Sequence, residues 1–343
     1  MPRRIGLMTT SLEWCSRKIC RRHFLQIAGG ASLVALAGCR RAVAAPQLLA
    51  LSGILPKRWT TELPKPWQFI TSKTLNQWTQ ADRNQADLLA FTDGWIESLS
   101  TVPLQPIAAS PLRNRLDAAA LRLLEALGPQ ESCVLPVGVS PWVMLVRQNA
   151  IVESIKMLGW EMLLDPHLQG RIILPASPLL VINLADRLEQ KDALERLRRQ
   201  VLTFDDRQAV NWLLKGVATV VVLPLQRCLP LLKQDPRVAA VLPAQGAPLN
   251  WTMLARPFGT QEPLPQEWVE QAWREPLRRR LLQFGWRAPL PTALLETDRQ
   301  YLPERWHSLM LPPAKIWDLC WSLPRLKPEQ QISLRERWQA STP

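Results

Sequence analysis

Histidine is almost missing from this chain. Its 343 residues hold three, His23, His167 and His307. That is too few for a serine–histidine–acid triad or a multi-histidine metal site to be expected. Tyrosine is rarer, with Tyr301 alone, which excludes a ferric site built on paired tyrosines. Of six cysteines, Cys15, Cys20 and Cys39 fall near the N-terminus. Cys133, Cys228 and Cys320 are an odd, widely spaced remainder without a Cys-x-x-Cys pair. Nor does any apolar run match the ~20 residues that cross a bilayer. The expectation is a non-enzyme with no catalytic residues, no metal and no cofactor.

What is present begins with an export signal. Arg21-Arg22-His23-Phe24-Leu25-Gln26 leads into an apolar run from Ile27 to Ala37 and then a small-residue site. A charged segment, a short apolar core and a cleavage site make a secretory signal rather than a membrane span. Arg21 and Arg22 followed by Phe-Leu resemble the twin-arginine export motif. Leu36-Ala37-Gly38-Cys39 resembles a bacterial lipobox, in which Cys39 is lipidated and becomes the new N-terminus. Residues 1–38 are expected to be the signal and 39–46 a tether. The rest is expected to work in the periplasm, anchored by lipid to a membrane face.

The net charge is +13, and losing the leader lowers it to about +8. A basic exported protein could favour anionic membrane surfaces, but a solvated basic surface explains the charge as well. Nucleic-acid binding would need a clustered basic stripe on a recognisable module, and neither is evident. Roughly 305 residues remain after the leader, more than one core usually holds, so two lobes are expected. Sixteen tryptophans should fill cores or line a cleft, since flat rings give large contact area at low entropic cost.

Along the chain, strands and helices alternate. Gln47 to Leu55 and Asp87 to Phe91 read as strands, the second ending in the turn Thr92-Asp93-Gly94. Pro111 to Leu127 has helical spacing, with Pro111 in the first turn and Gly128 as the stop. Cys133 to Val137 and Trp142 to Val146 read as two short strands around Gly138-Val139-Ser140-Pro141. Leu180 to Gln200 reads as a helix. Asp205 and Asp206 precede another, over Gln208 to Lys215, and read as capping carboxylates, with a place among the cleft acids as the other reading. Val217 to Leu223 is an apolar run of the kind buried on both faces of a sheet. Trp251 to Ala255 is a further strand. Pro265 to Phe284 is helical with a break at Pro276, and the tail from Ala314 to Ser341 is helical again. This alternation implies an α/β protein.

Several segments resemble one known family. Trp160-Glu161-Met162-Leu163-Leu164-Asp165-Pro166-His167-Leu168-Gln169-Gly170 resembles a turn of extracellular solute-binding proteins of ABC transporters, the spermidine/putrescine-binding type in particular. Val241 to Ala255, Asp87 to Gly94 and Gly285-Trp286-Arg287-Ala288-Pro289 resemble its return strand, ligand loop and Gly-aromatic segment. The resemblance implies a two-lobed periplasmic-binding-protein fold, type 2. Each lobe would be a mixed sheet flanked by helices, with hinge strands between. Lobe 1 would be residues 47–148 plus 255–343, and lobe 2 residues 149–254. A small solute, polyamine by family default, would sit in the cleft, and closure would present a surface to an ABC permease in the membrane.

The departures bear on the ligand. Polyamines need carboxylates at spaced ammonium positions and aromatic walls for their methylenes. Where the family carries an acid after its Gly-aromatic turn, this chain has Thr252. Where it carries two after the second-lobe strand, this chain has Pro175-Ala176-Ser177-Pro178-Leu179-Leu180. Leu51-Ser52-Gly53-Ile54 replaces an acidic, aromatic segment. Asp93 is the best surviving cleft acid. Trp95, Trp142, Ser177, Asn250, Trp251 and Thr252 complete the candidate ligand set, with core packing as the other reading of the tryptophans. Arg227 could face the cleft and repel a polyamine, or lie on the surface. A neutral or anionic solute, or a lipoprotein scaffold that no longer transports, stands beside the polyamine reading.

Overall fold

The computed structural model describes residues 45–72, 86–95, 103–147 and 149–342. Arg21, Arg22, Cys39 and the leader lie outside them, as does the side chain of Trp95. The described chain is mixed α/β, as expected. Its strands are β1 (Gln47–Leu51), β2 (Gln68–Ser72), β3 (Leu88–Thr92), β4 (Leu104–Gln105), β5 (Val134–Val146), β6 (Ile172–Ile173), β7 (Val201–Thr203), β8 (Val220–Pro224), β9 (Ala239–Val241) and β10 (Leu249–Pro257).

The sheet runs β2-β1-β3-β10-β5-β8-β6-β7, with β4 beside β10 and β9 beside β5. The strand β5 belongs to both halves. Its first part, through Pro141, pairs antiparallel with β10, and its second part, from Trp142, pairs antiparallel with β8. In the first half β1, β2 and β3 are parallel. In the second, β6, β7 and β8 are parallel. Helices flank this sheet. The central strands β3 and β8 are apolar almost throughout and almost wholly buried, as strands covered on both faces should be.

Several elements differ from the sequence reading. The two strands predicted around Gly138-Val139-Ser140-Pro141 are one strand, β5. Pairing with β10 on this stretch overrides the turn character of Gly and Pro. The helix expected from Pro111 to Leu127 breaks, because Asp117 starts a new one. Its Oδ1 accepts the Ala120 N–H at 2.8 Å and caps the Ala118–Leu127 helix. Leu180 to Gln200 is two helices, Pro178–Ala185 and Ala193–Gln200. The break at Pro276 is present, between Gln266–Ala272 and Leu277–Leu282.

Besides β5, two segments cross between the halves. Pro248, just before β10, bridges to Trp321, and Leu249 N–H donates to the Trp321 carbonyl at 2.7 Å. Gly246 lets these segments meet backbone to backbone. It has φ +81°, and a Cβ there would lie 2.4 Å from the Leu319 carbonyl oxygen. After Trp321 the chain continues as an arm. Arg325 donates to the Leu127 carbonyl at 2.7 Å. The Pro328–Ala340 helix then docks beside Pro178–Ala185, where Arg337 pairs with Asp186 and the Arg198 guanidinium lies 4.0 Å over the Trp338 ring. No helix among the described residues is long and apolar enough to cross a membrane.

Candidate functional site

A cleft of about 860 Å³ opens between the halves of the sheet. One wall is made by Ser52–Ile54, which follow β1, and by Thr92–Gly94, at the end of β3 and just beyond it. The facing wall is made by Pro175–Leu180 after β6 and by Gln226 and Arg227 after β8. Ligands of open α/β sheets bind outside the carboxyl ends of the strands, where connections to neighbouring strands diverge. Trp142 and Asn250 line the base, where β5 passes from one half to the other.

Asp93 is the acid most affected by its surroundings. It stands in a single helical turn after β3. Its Oδ1 accepts the Trp251 backbone N–H at 3.2 Å. Its Oδ2 is shielded from water and has no hydrogen-bond partner among the described residues. Burial pushes its pKa up to about 7, against the opposing effect of backbone N–H groups of Trp251, Asp93 and Gly94.

Ser177 caps the Pro178–Ala185 helix by accepting the Leu180 N–H at 3.3 Å. The hydroxyl proton is therefore still available for a ligand acceptor. Asp205 caps too, accepting the Arg207 N–H at 3.0 Å. Asp206 does not. It lines the cleft and forms an ion pair with Arg227, which also donates to the Asp206 carbonyl at 3.0 Å.

Of the candidates from sequence, Asp93, Trp142, Ser177 and Asn250 come together on the cleft. Trp251 and Thr252 are not among its lining residues. Trp251 is fully buried, its indole N–H donating to Ser322 Oγ at 2.9 Å. Its link to the cleft is the backbone N–H held by Asp93. Thr252 is buried with Oγ1 unpartnered among the described residues. The sequence reading left Arg227 open, and it lines the cleft. Arg325, Gln331, Leu334 and Arg335 were missed, because the tail reaches the cleft from far along the chain.

The lining thus carries two acids, Asp93 and Asp206, against three arginines, Arg227, Arg325 and Arg335. Asp206 is already neutralised by Arg227. What remains is the weakly acidic, half-buried carboxyl of Asp93 with Arg325 and Arg335. Apolar side chains such as Leu123, Leu179 and Leu334 also line it.

Comparison with solved structures places this fold. The substrate-binding protein PotD of a spermidine/putrescine ABC transporter from Streptococcus pneumoniae superposes with a TM-score of 0.65 at 11% identity, over 86% of this chain and 98% of that one. A ferric binding protein from Campylobacter jejuni gives 0.57 at 12%, over 86% and 99%. A periplasmic thiamin binding protein gives 0.58 at 14%, over 86% and 94%. No protein-family model matches the sequence, and no curated protein matches it. At such identities the likeness carries the fold: this chain has the two-lobed fold of periplasmic solute-binding proteins.

Proposed function

We propose that this chain is the solute-binding component of an ABC importer, and that its solute is neutral or anionic. The observation that carries the reading is the composition of the cleft. It opens at the carboxyl ends of strands from both halves of the sheet, and its arginines outnumber its acids. With Arg227 and Asp206 paired, a polycation entering it would meet Arg325 and Arg335 with one carboxyl, Asp93, left to hold it. Residues 47–148 plus 255–343 and residues 149–254 would act as the lobes, closing on solute and presenting a surface to a membrane permease. Twin-arginine export and a lipid on Cys39 would tether the protein outside the cytoplasm. Tyr301 is not a cleft residue, so the ferric chemistry named for one structural neighbour has no phenolate here.

A polyamine is the second reading, favoured by Asp93, a cleft-lining acid whose Oδ2 has no hydrogen-bond partner among the described residues. Isothermal titration with spermidine and putrescine decides between them. Absence of heat supports a neutral or anionic solute. Binding at about micromolar strength that Asp93→Ala weakens about tenfold establishes the polyamine reading instead.

A further inference from the structure

A second cavity, of about 240 Å³, shares a wall with the cleft. Gln226 and Arg227 line both. The smaller cavity adds Lys57 and Arg58 from the short Lys57–Thr60 helix, and Leu281, Phe284 and Trp286 from the end of Leu277–Leu282 and the turn beyond. Two elements distant in sequence meet closely at this wall. Gly285, at φ +76°, approaches Gln226 so tightly that a Cβ would lie 2.9 Å from its backbone.

The charges there have one sign. None of the residues lining this cavity is acidic. Lys57 and Arg58 are exposed at its edge. The Lys233 ammonium lies 4.0 Å over the ring of Phe284. Partial burial, and then the charge of Arg58, hold that lysine below its usual range, so these cations stand near one another. Inside, Ile54, Pro56, Leu281, Phe284 and Trp286 make much of the surface apolar or aromatic, beside the polar Gln226. Trp286 is 1% exposed, and the nitrogen edge of its indole packs against Gly138 of β5, where a Cβ would lie 2.4 Å from Nε1.

We propose that this cavity binds a small organic anion, its charge at Lys57 and Arg58 and its flat or apolar body against Phe284 and Trp286. Such a ligand supplies the missing negative charge and covers the apolar surface. The volume lies below the ~300–1,000 Å³ of drug-sized sites, which limits the ligand to about one ring. The inference does not depend on what the larger cleft carries.

Benzoate is the probe, with benzylamine as its cationic counterpart. The full chain is isotope-labelled at the tryptophan indole nitrogens, and the resonances of Trp286 and Trp142 are assigned with Trp286→Phe and Trp142→Phe. Benzoate should move the Trp286 resonance saturably, and benzylamine should not. The exposed pair change K57E/R58E should weaken benzoate about tenfold or more, and K57Q/R58Q should weaken it less. If the Trp142 resonance moves while that of Trp286 stays, the anion occupies the larger cleft and the proposal fails. It fails equally if benzylamine matches benzoate, or if both pair variants leave the affinity unchanged.

Discussion

Asp93 holds the backbone N–H of Trp251 with one carboxylate oxygen, at 3.2 Å, while the other oxygen is buried without a partner among the described residues. Burial raises its pKa to about 7, against the opposing backbone N–H groups. The folded-state value lies above the ordinary 3.8. The protonated acid is therefore fully favourable to folding below about pH 3.8, and this contribution is lost as pH rises through 7. The difference is of the order of 4 kcal/mol at full ionisation. Asp93→Asn should therefore gain stability over the parent as pH goes from 5 to 8, read by urea unfolding at both values. A stability difference that does not change with pH would show that the carboxyl is not desolvated.

The pair Asp206 and Arg227 sets the sign of the cleft. Arg227→Ala removes a cation and frees Asp206. Spermidine affinity should rise about five- to tenfold in that variant, measured by titration against the parent. An unchanged affinity would place Asp206 out of reach of the ligand.

Trp59 and Trp268 stack at 4.2 Å between ring centroids and exchange indole N–H to carbonyl bonds of 3.0 and 2.9 Å. Both are fully buried. Trp268→Ala should cost about 3–5 kcal/mol through the cavity and the lost bonds. Trp268→Phe should cost about 1–3 kcal/mol, because the ring remains while Trp59 loses a donor to its carbonyl. Denaturant midpoints of the two variants check the order.

The C-terminal arm is held at its far end by Arg198, stacked on Trp338 and bonded to Ser341 Oγ at 2.8 Å. Phe204 meets Trp338 edge to face at 5.1 Å. Trp338→Ala should lower stability by about 1–2 kcal/mol. It should also speed hydrogen exchange across Pro328–Ala340 while leaving β3 and β8 protected. Uniform loss of protection would mean that the arm and the sheet unfold together.

How far the chain could be read depends on the range of the interactions involved. Leu88 to Phe91 and the run ending at Leu223 declare themselves as buried strands, because their own side chains exclude any other place. Asp93 was found because it follows such a strand directly. Gly138 and Pro141 misled, since locally they are turn residues and only pairing with β10 keeps them extended. Trp251 was chosen for its ring, whereas its tie to the site is a backbone N–H, which every residue but proline carries. Arg325 and Arg335 gave no signal, because nothing near them in sequence marks the cleft they reach.

One side of that cleft is built by Leu323–Leu326, Gln331, Leu334 and Arg335, a stretch that contributes no strand to the sheet. Substitutions there can alter the shape and charge offered to a solute without shifting the register of a single strand pair. Selectivity and architecture are thus encoded in separable parts of the chain, and ligand preference can diverge between relatives while the sheet stays the same.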